Sequence, residues 1–183
     1  MSNELTNTND AGTASDLVAP RSTHCYPPVL DACCSARMMW FDKQDSRAVY
    51  YDKRAEDFGM QKNGRVLTVS PDVQGCFTEM PFPDETFSLV AFDPPHMKGT
   101  EARLNGVMGR QYGLLFPGWE DVIAGGFREC FRVLKGNGVL IFKWCEVEIP
   151  LSKVLALTDQ KPLFGNRSGK AMNTHWVTFI KCG

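Results

Sequence analysis

A doubly wound α/β fold is predicted by three features of this 183-residue chain. Apolar runs of strand length recur along it, amphipathic stretches separate them, and several of the runs end in aspartate. Continuous apolar runs interleaved with helices imply a mostly parallel sheet covered on both faces. Sheets of that kind bind ligands in the crevice beyond the carboxyl ends of their strands.

Each element has its own signal. Residues 29–33 read as a buried strand, and residues 35–43 as a helix with Met38, Met39 and Phe41 on its apolar side. Residues 48–51 form a second strand ending at Asp52, and residues 66–69 a third. The turn-rich Pro81-Phe82-Pro83-Asp84-Glu85 introduces a fourth strand at 87–92. From 119 to 134 the spacing of Val122, Ile123, Phe127, Cys130, Phe131 and Leu134 predicts a helix, stopped by Lys135-Gly136-Asn137-Gly138. Residues 139–144 are a fifth strand and 151–157 a short helix. Leu163-Phe164 and residues 176–180 are expected to close the sheet as an antiparallel couple.

Composition narrows the class. The chain is 43% hydrophobic and 22% charged, which is globular usage. Twenty Lys and Arg against 21 Asp and Glu give a net charge of −1, which argues against a polycation that coats nucleic acid or membranes. A locally basic face is compatible with that balance. The longest apolar runs fall well short of the roughly 18 residues a spanning helix needs, and the N-terminus lacks a signal-peptide pattern. Seven cysteines, with Cys33 and Cys34 adjacent and no Cys-x-x-Cys, suggest neither a disulfide framework nor a zinc site. A reduced, cytoplasmic protein is the expectation. Residues 1–23, rich in Ser, Thr, Asn and Asp, read as a disordered leader, and residues 24–183 as one domain.

The strand ends carry the chemistry. The first strand runs into Asp31-Ala32-Cys33-Cys34-Ser35-Ala36, where small side chains allow a ligand to approach backbone N–H groups. Asp52 ends the second strand about 20 residues after Asp31, a spacing that suits a carboxylate accepting ribose hydroxyls. Either aspartate also suits a simple turn cap. After the fourth strand comes Asp93-Pro94-Pro95-His96, a stiff bend that presents one carboxylate, free carbonyls and a planar side chain.

Together these residues resemble the class I S-adenosylmethionine-dependent methyltransferases, and among them the small phage-type enzymes with an Asp-Pro-Pro-His motif. The resemblance runs from about Pro28 to Lys181. It rests on Val29-Leu30-Asp31-Ala32-Cys33-Cys34 with Arg37-Met38-Met39-Trp40-Phe41-Asp42-Lys43, on Val49-Tyr50-Tyr51-Asp52, and on Met80-Pro81-Phe82-Pro83-Asp84-Glu85-Thr86-Phe87. It continues through Phe92-Asp93-Pro94-Pro95-His96, Phe131-Arg132-Val133-Leu134-Lys135, Ile141-Phe142-Lys143-Trp144, Pro162-Leu163-Phe164-Gly165 and Thr174-His175-Trp176-Val177. It implies a seven-stranded sheet of order 3-2-1-4-5-7-6 with strand seven antiparallel, and S-adenosyl-L-methionine as cofactor. Asp31, Ala32, Cys33, Cys34, Arg37, Asp52, Cys76 and Phe77 would bind that cofactor. Two departures stand out. Ser35 and Ala36 replace the usual glycines, and Cys76 occupies a commonly acidic position, with Asp72 the nearby alternative carboxylate.

The implied chemistry is methylation of an exocyclic amino nitrogen of a nucleobase in DNA or RNA. That nitrogen is a poor nucleophile, and Asp93 with the Pro94 carbonyl would accept its N–H bonds, while His96 stacks on a flipped base. Lys98, Arg103, Arg110, Lys143, Arg167 and Lys170 are the candidate substrate contacts. Residues 98–119 would serve as a lid, and Arg167 and Lys170 as phosphate contacts or the tip of a solvated hairpin. Arg37 either binds the cofactor carboxylate or pairs with Asp42 or Asp45. No target-recognition domain is visible, so specificity would fall to loops, a homodimer or a partner subunit. A protein side chain or small metabolite as acceptor, and a non-catalytic cofactor-binding subunit, are the alternatives.

Overall fold

A computed structural model describes residues 25–183 apart from 62, 63, 65 and 105. The expected leader, residues 1–23, lies outside the described residues. In chain order the elements are β1 (Val29–Asp31), β2 (Ala48–Asp52), β3 (Glu56–Met60), β4 (Val66–Val69), β5 (Val73–Gln74) and β6 (Phe87–Phe92). They continue with α1 (Glu101–Leu104), α2 (Val107–Tyr112), α3 (Trp119–Val133), β7 (Leu134–Cys145), α4 (Leu151–Leu155), β8 (Phe164–Ser168) and β9 (Thr174–Ile180).

Seven strands form one sheet in the order β5-β2-β1-β6-β7-β9-β8. Neighbours from β5 to β7 run parallel, while β9 is antiparallel to both β7 and β8. The expected order and the antiparallel seventh strand are therefore present. One assignment changes. Residues 66–69 do not supply the third sheet position; they pair with β3 in a separate antiparallel hairpin. The two-residue β5 takes that position instead, which leaves too little sequence for an alternation to show.

The segment after β1 also differs from expectation. Residues 35–43 form turns and bends rather than a helix. Ser35 and Arg37 have φ of 46° and 54°, left-handed values that interrupt a right-handed helix. Phe41, expected on a buried face, is fully exposed, and Met38 is half exposed.

Helix α3 lies against the sheet where predicted. Glu120 and Asp121 in its first turn and Arg132 in its last complement the helix dipole. Its close approach requires Gly126, where a Cβ would fall 2.5 Å from the Phe92 ring and 2.8 Å from that of Phe77. Phe127 packs among Phe142, Phe92 and Phe179, with ring centroids 4.9, 5.7 and 6.1 Å away. On the opposite face the 32–47 segment covers β1 and β2, setting Cys34 and Trp40 against Ala48 and Tyr50. Over β7 and β9 that face is half exposed at Ile141, Lys143, Trp176 and Thr178. Among the described residues no helix is long and apolar enough to cross a membrane.

Because Phe127 is buried among three rings, Phe127→Ala is expected to cost about 3–5 kcal/mol of stability in urea unfolding. Phe164→Ala, on the exposed edge strand, should stay within about 0.5 kcal/mol of the parent protein.

Candidate functional site

Sheet register gathers three carboxylates. Asp31 of β1 lies beside Tyr50 of β2 and Ala91 of β6. Asp52 and Asp93, each two residues further along, therefore reach the same carboxyl edge on adjacent strands. A cavity of about 520 Å³ opens there, within the size range of small-molecule sites. Ala32, Cys33, Cys34 and Ser35 line it from β1, Asp52, Lys53 and Arg54 from β2, and Cys76 and Phe77 from β5. Asp93, Pro94, Pro95 and His96 line it from β6, with Lys143 and Trp176 alongside and residues 112–115 opposite.

Each carboxylate is compensated differently. Asp31 is fully buried and accepts from Trp40 Nε1 at 2.7 Å and from the Cys33 amide at 3.3 Å. Burial, with smaller contributions from Asp93 and Asp52, pushes its pKa up to about 7 against the pull of those two donors.

Asp52 is almost as buried. Its Oδ1 accepts from the Arg54 amide and Nε, both at 2.9 Å, and its Oδ2 from Arg54 Nη2 at 2.9 Å and the Ser35 amide at 2.8 Å. These donors fill the roughly four lone-pair sites of a carboxylate. Arg54 Nη1 also donates to the carbonyls of Arg110 and Gln111, at 2.9 and 2.5 Å. The Ser35 hydroxyl donates to Gln111 as well, so the end of α2 is tied across the cavity mouth.

Asp93 pairs with Lys143 Nζ at 2.5 Å. Burial lowers the His96 pKa, so its imidazole is neutral at pH 7. Burial likewise raises the Cys33 and Cys34 thiols, which keeps both uncharged and poor nucleophiles. Among the described residues no group of three His, Cys, Asp or Glu side chains is arranged to hold a metal ion.

Several candidates lie elsewhere. Asp31 sits behind the lining residues, bonded to Trp40. Arg37 stacks 3.6 Å above the Tyr50 ring and bonds Lys43, Ser70 and Asp72, so it pairs with neither Asp42 nor Asp45. Asp45 is taken by Arg47. Asp72, held by the Tyr50 amide and Arg37, is outside the cavity and does not replace Cys76 there. Arg103 pairs with Glu148, Arg110 with Glu56, and Arg167 lies 3.8 Å from Glu146. Lys98 and Lys170 are exposed. Of the six candidate substrate contacts, Lys143 alone lines the cavity. Arg54, Tyr112 and Trp176 line it without having been singled out by sequence reasoning.

No protein-family model matches the chain, and no curated protein matches it in sequence. Among solved structures, the PH0226 protein of Pyrococcus horikoshii aligns with a TM-score of 0.53 at 13% identity, over 84% of this chain and 81% of that one. A TehB-like SAM-dependent methyltransferase of Corynebacterium glutamicum aligns with a TM-score of 0.51 at 12% identity, over 89% and 82%. This is the Rossmann-like methyltransferase fold. At such identities the likeness is one of architecture.

The cavity lies at the carboxyl edge of the sheet, where doubly wound folds hold ligands, nucleosides among them. Its apolar walls and the small side chains at 32–35 suit such a ligand. Asp52 suits it on one condition, since ribose hydroxyls must displace at least one of its present donors.

Asp31 yields a pH test. Its folded-state pKa of about 7 lies above the ordinary carboxylate value, so the native chain keeps a proton that the unfolded chain has lost. This contribution is fully present below about pH 4 and is lost as the pH rises to about 7. The melting temperature should fall between about pH 4 and about pH 7, and Asp31→Asn should flatten that decline.

Proposed function

We propose that the chain is an S-adenosylmethionine-dependent methyltransferase acting on an exocyclic amino nitrogen of a nucleobase in DNA or RNA. The observation that carries this reading is the Asp93 carboxylate, held at the cavity wall by consecutive prolines. The shared architecture with the Corynebacterium glutamicum methyltransferase supports the choice of donor.

Ala32, Cys33, Cys34 and Ser35 would pass along the methionine portion, Asp52 would accept from the ribose, and Cys76 and Phe77 would border the adenine. When bound, S-adenosylmethionine supplies a methyl group whose bond to the sulfonium sulfur breaks, the electron pair staying on sulfur. The protein's own work is positioning and hydrogen bonding. Asp93 and the Pro94 carbonyl accept the amine N–H bonds, which keeps the nitrogen lone pair available. Pro94 and Pro95 have no N–H to compete for those acceptors. The neutral His96 ring offers a flat face to the base and an acceptor for the proton the nitrogen sheds.

A protein side-chain amide as acceptor is the second reading, favoured by the net charge of −1 and by acidic partners at Arg103 and Arg110. Under the first reading, with Arg103 and Arg110 so paired, nucleic-acid contact falls to Lys98, Lys170 and the cavity rim.

Two measurements bear on this function. Asp93→Ala should lower methyl transfer by about 10²–10³, the usual effect of removing one preorganised group at the reacting centre. Cofactor affinity and melting temperature should be retained; full activity would refute the acceptor role. Separately, Arg54→Met should tighten S-adenosylhomocysteine binding by about tenfold in calorimetry, the scale of one hydrogen bond to a charged group. Asp52→Ala should weaken that binding. If Arg54→Met leaves affinity unchanged, Asp52 is not the ribose acceptor.

A further inference from the structure

We propose that Lys143 is a specificity-determining residue and that, with Asp93, it reads an amino group lying beside an unprotonated ring nitrogen, the edge presented by adenine and cytosine. This inference rests on the reading of the cavity as a nucleobase methyltransferase site.

Sheet register builds the pair. Phe92 lies opposite Phe142, so the next residues along, Asp93 and Lys143, come side by side. Lys143 in turn lies opposite Trp176, whose ring is 5.7 Å from Nζ. Acceptor, donor and aromatic ring thus form one row across the carboxyl edge of the sheet. All three line the cavity, and the two charged side chains remain partly open to it.

The chemistry of the row is selective. Asp93 and Lys143 neutralise one another, so the pair gives no attraction for an ammonium substrate and suits an uncharged one. An ionised carboxylate only accepts and an ammonium only donates. Among the described residues, Asp93 Oδ1 accepts nothing, and Lys143 Nζ donates only to Asp93. Free capacity of both kinds therefore stands side by side. Its complement is a planar N–H donor next to an acceptor: N6 with N1 in adenine, or N4 with N3 in cytosine. With its amino group on Asp93, guanine would set N1–H, a second donor, against the Lys143 ammonium on its Watson–Crick edge; its unprotonated N3 lies on the sugar-side edge beside the glycosidic bond, and uracil or thymine has no amino group to offer. Tyr112, His96 and Trp176 around the row favour a flat ring over a side-chain amide.

The test uses the whole protein, labelled S-adenosylmethionine, and single-stranded oligonucleotides containing adenine or cytosine. Matching strands carry 1-deazaadenine or 3-deazacytosine, which keep the amino group and lose the ring acceptor. The deaza strands should be methylated about 10–100-fold less efficiently, the scale of one hydrogen bond to a charged group. Lys143→Met should lose a similar factor on the parent strand and show no further loss on the deaza strand. Lys143→Gln, which keeps an N–H donor, should recover part of the discrimination. The comparison on the unsubstituted protein stands even if a variant fails to fold. Equal methylation of deaza and parent strands overturns the role of Lys143 and leaves the functional reading intact. Transfer to protein amides only, or to no oligonucleotide, overturns the functional reading and this inference with it.

Discussion

Three carboxylates at the ends of adjacent parallel strands, two of them buried and the third partly so, are the constraint around which the rest of this molecule is arranged. Removing a charge from water is expensive unless it is neutralised, paired or hydrogen-bonded. Asp31 meets the demand by taking up a proton more readily and by drawing the Trp40 indole beneath it. Asp52 recruits Arg54 and the Ser35 amide, and Asp93 recruits Lys143. These solutions shape the surrounding chain. The Trp40 bond and the left-handed turns at Ser35 and Arg37 fold the 32–47 segment onto β1 and β2. The Arg54 guanidinium, which neutralises Asp52, also ties α2 across the cavity mouth.

The two faces of the sheet divide the work. Helix α3 and its phenylalanine cluster seal one face and fix the strand positions. The opposite face is left half open over β7 and β9, and that opening lets Lys143 and Trp176 reach the cavity beside Asp93. The donor end of the proposed reaction is enclosed by small side chains and buried carboxylates. The acceptor end is aromatic, charge-balanced and more open.

Strands β1, β2, β6 and β7 and helix α3 were legible in the sequence because their signals are local: apolar runs of strand length and a helical stripe. Asp52 and Asp93 were legible because each directly follows such a run. The features that went unread depend on partners distant in the chain. Residues 66–69 look like any strand until their pairing with β3 is known, and β5 is too short to show a pattern. Met38, Met39 and Phe41 carry helical spacing, but the Asp31–Trp40 bond and the turns before it decide the backbone. Arg37 and Arg54 are both arginines near a strand-end aspartate, and nothing in their spacing tells which faces the cavity. Trp176 looks like a core residue until the β7–β9 register sets it beside Lys143.

The central claim, that this cavity holds a nucleoside donor at Asp52 with its sulfur directed toward Asp93, is tested most directly by a crystal structure with S-adenosylhomocysteine. The expected complex has the ribose hydroxyls on Asp52, the adenine beside Phe77, Arg54 shifted from at least one carboxylate oxygen, and the sulfur facing Asp93. A ligand bound elsewhere, or one seated with its sulfur turned away from Asp93 while Arg54 keeps every bond to Asp52, would contradict the account.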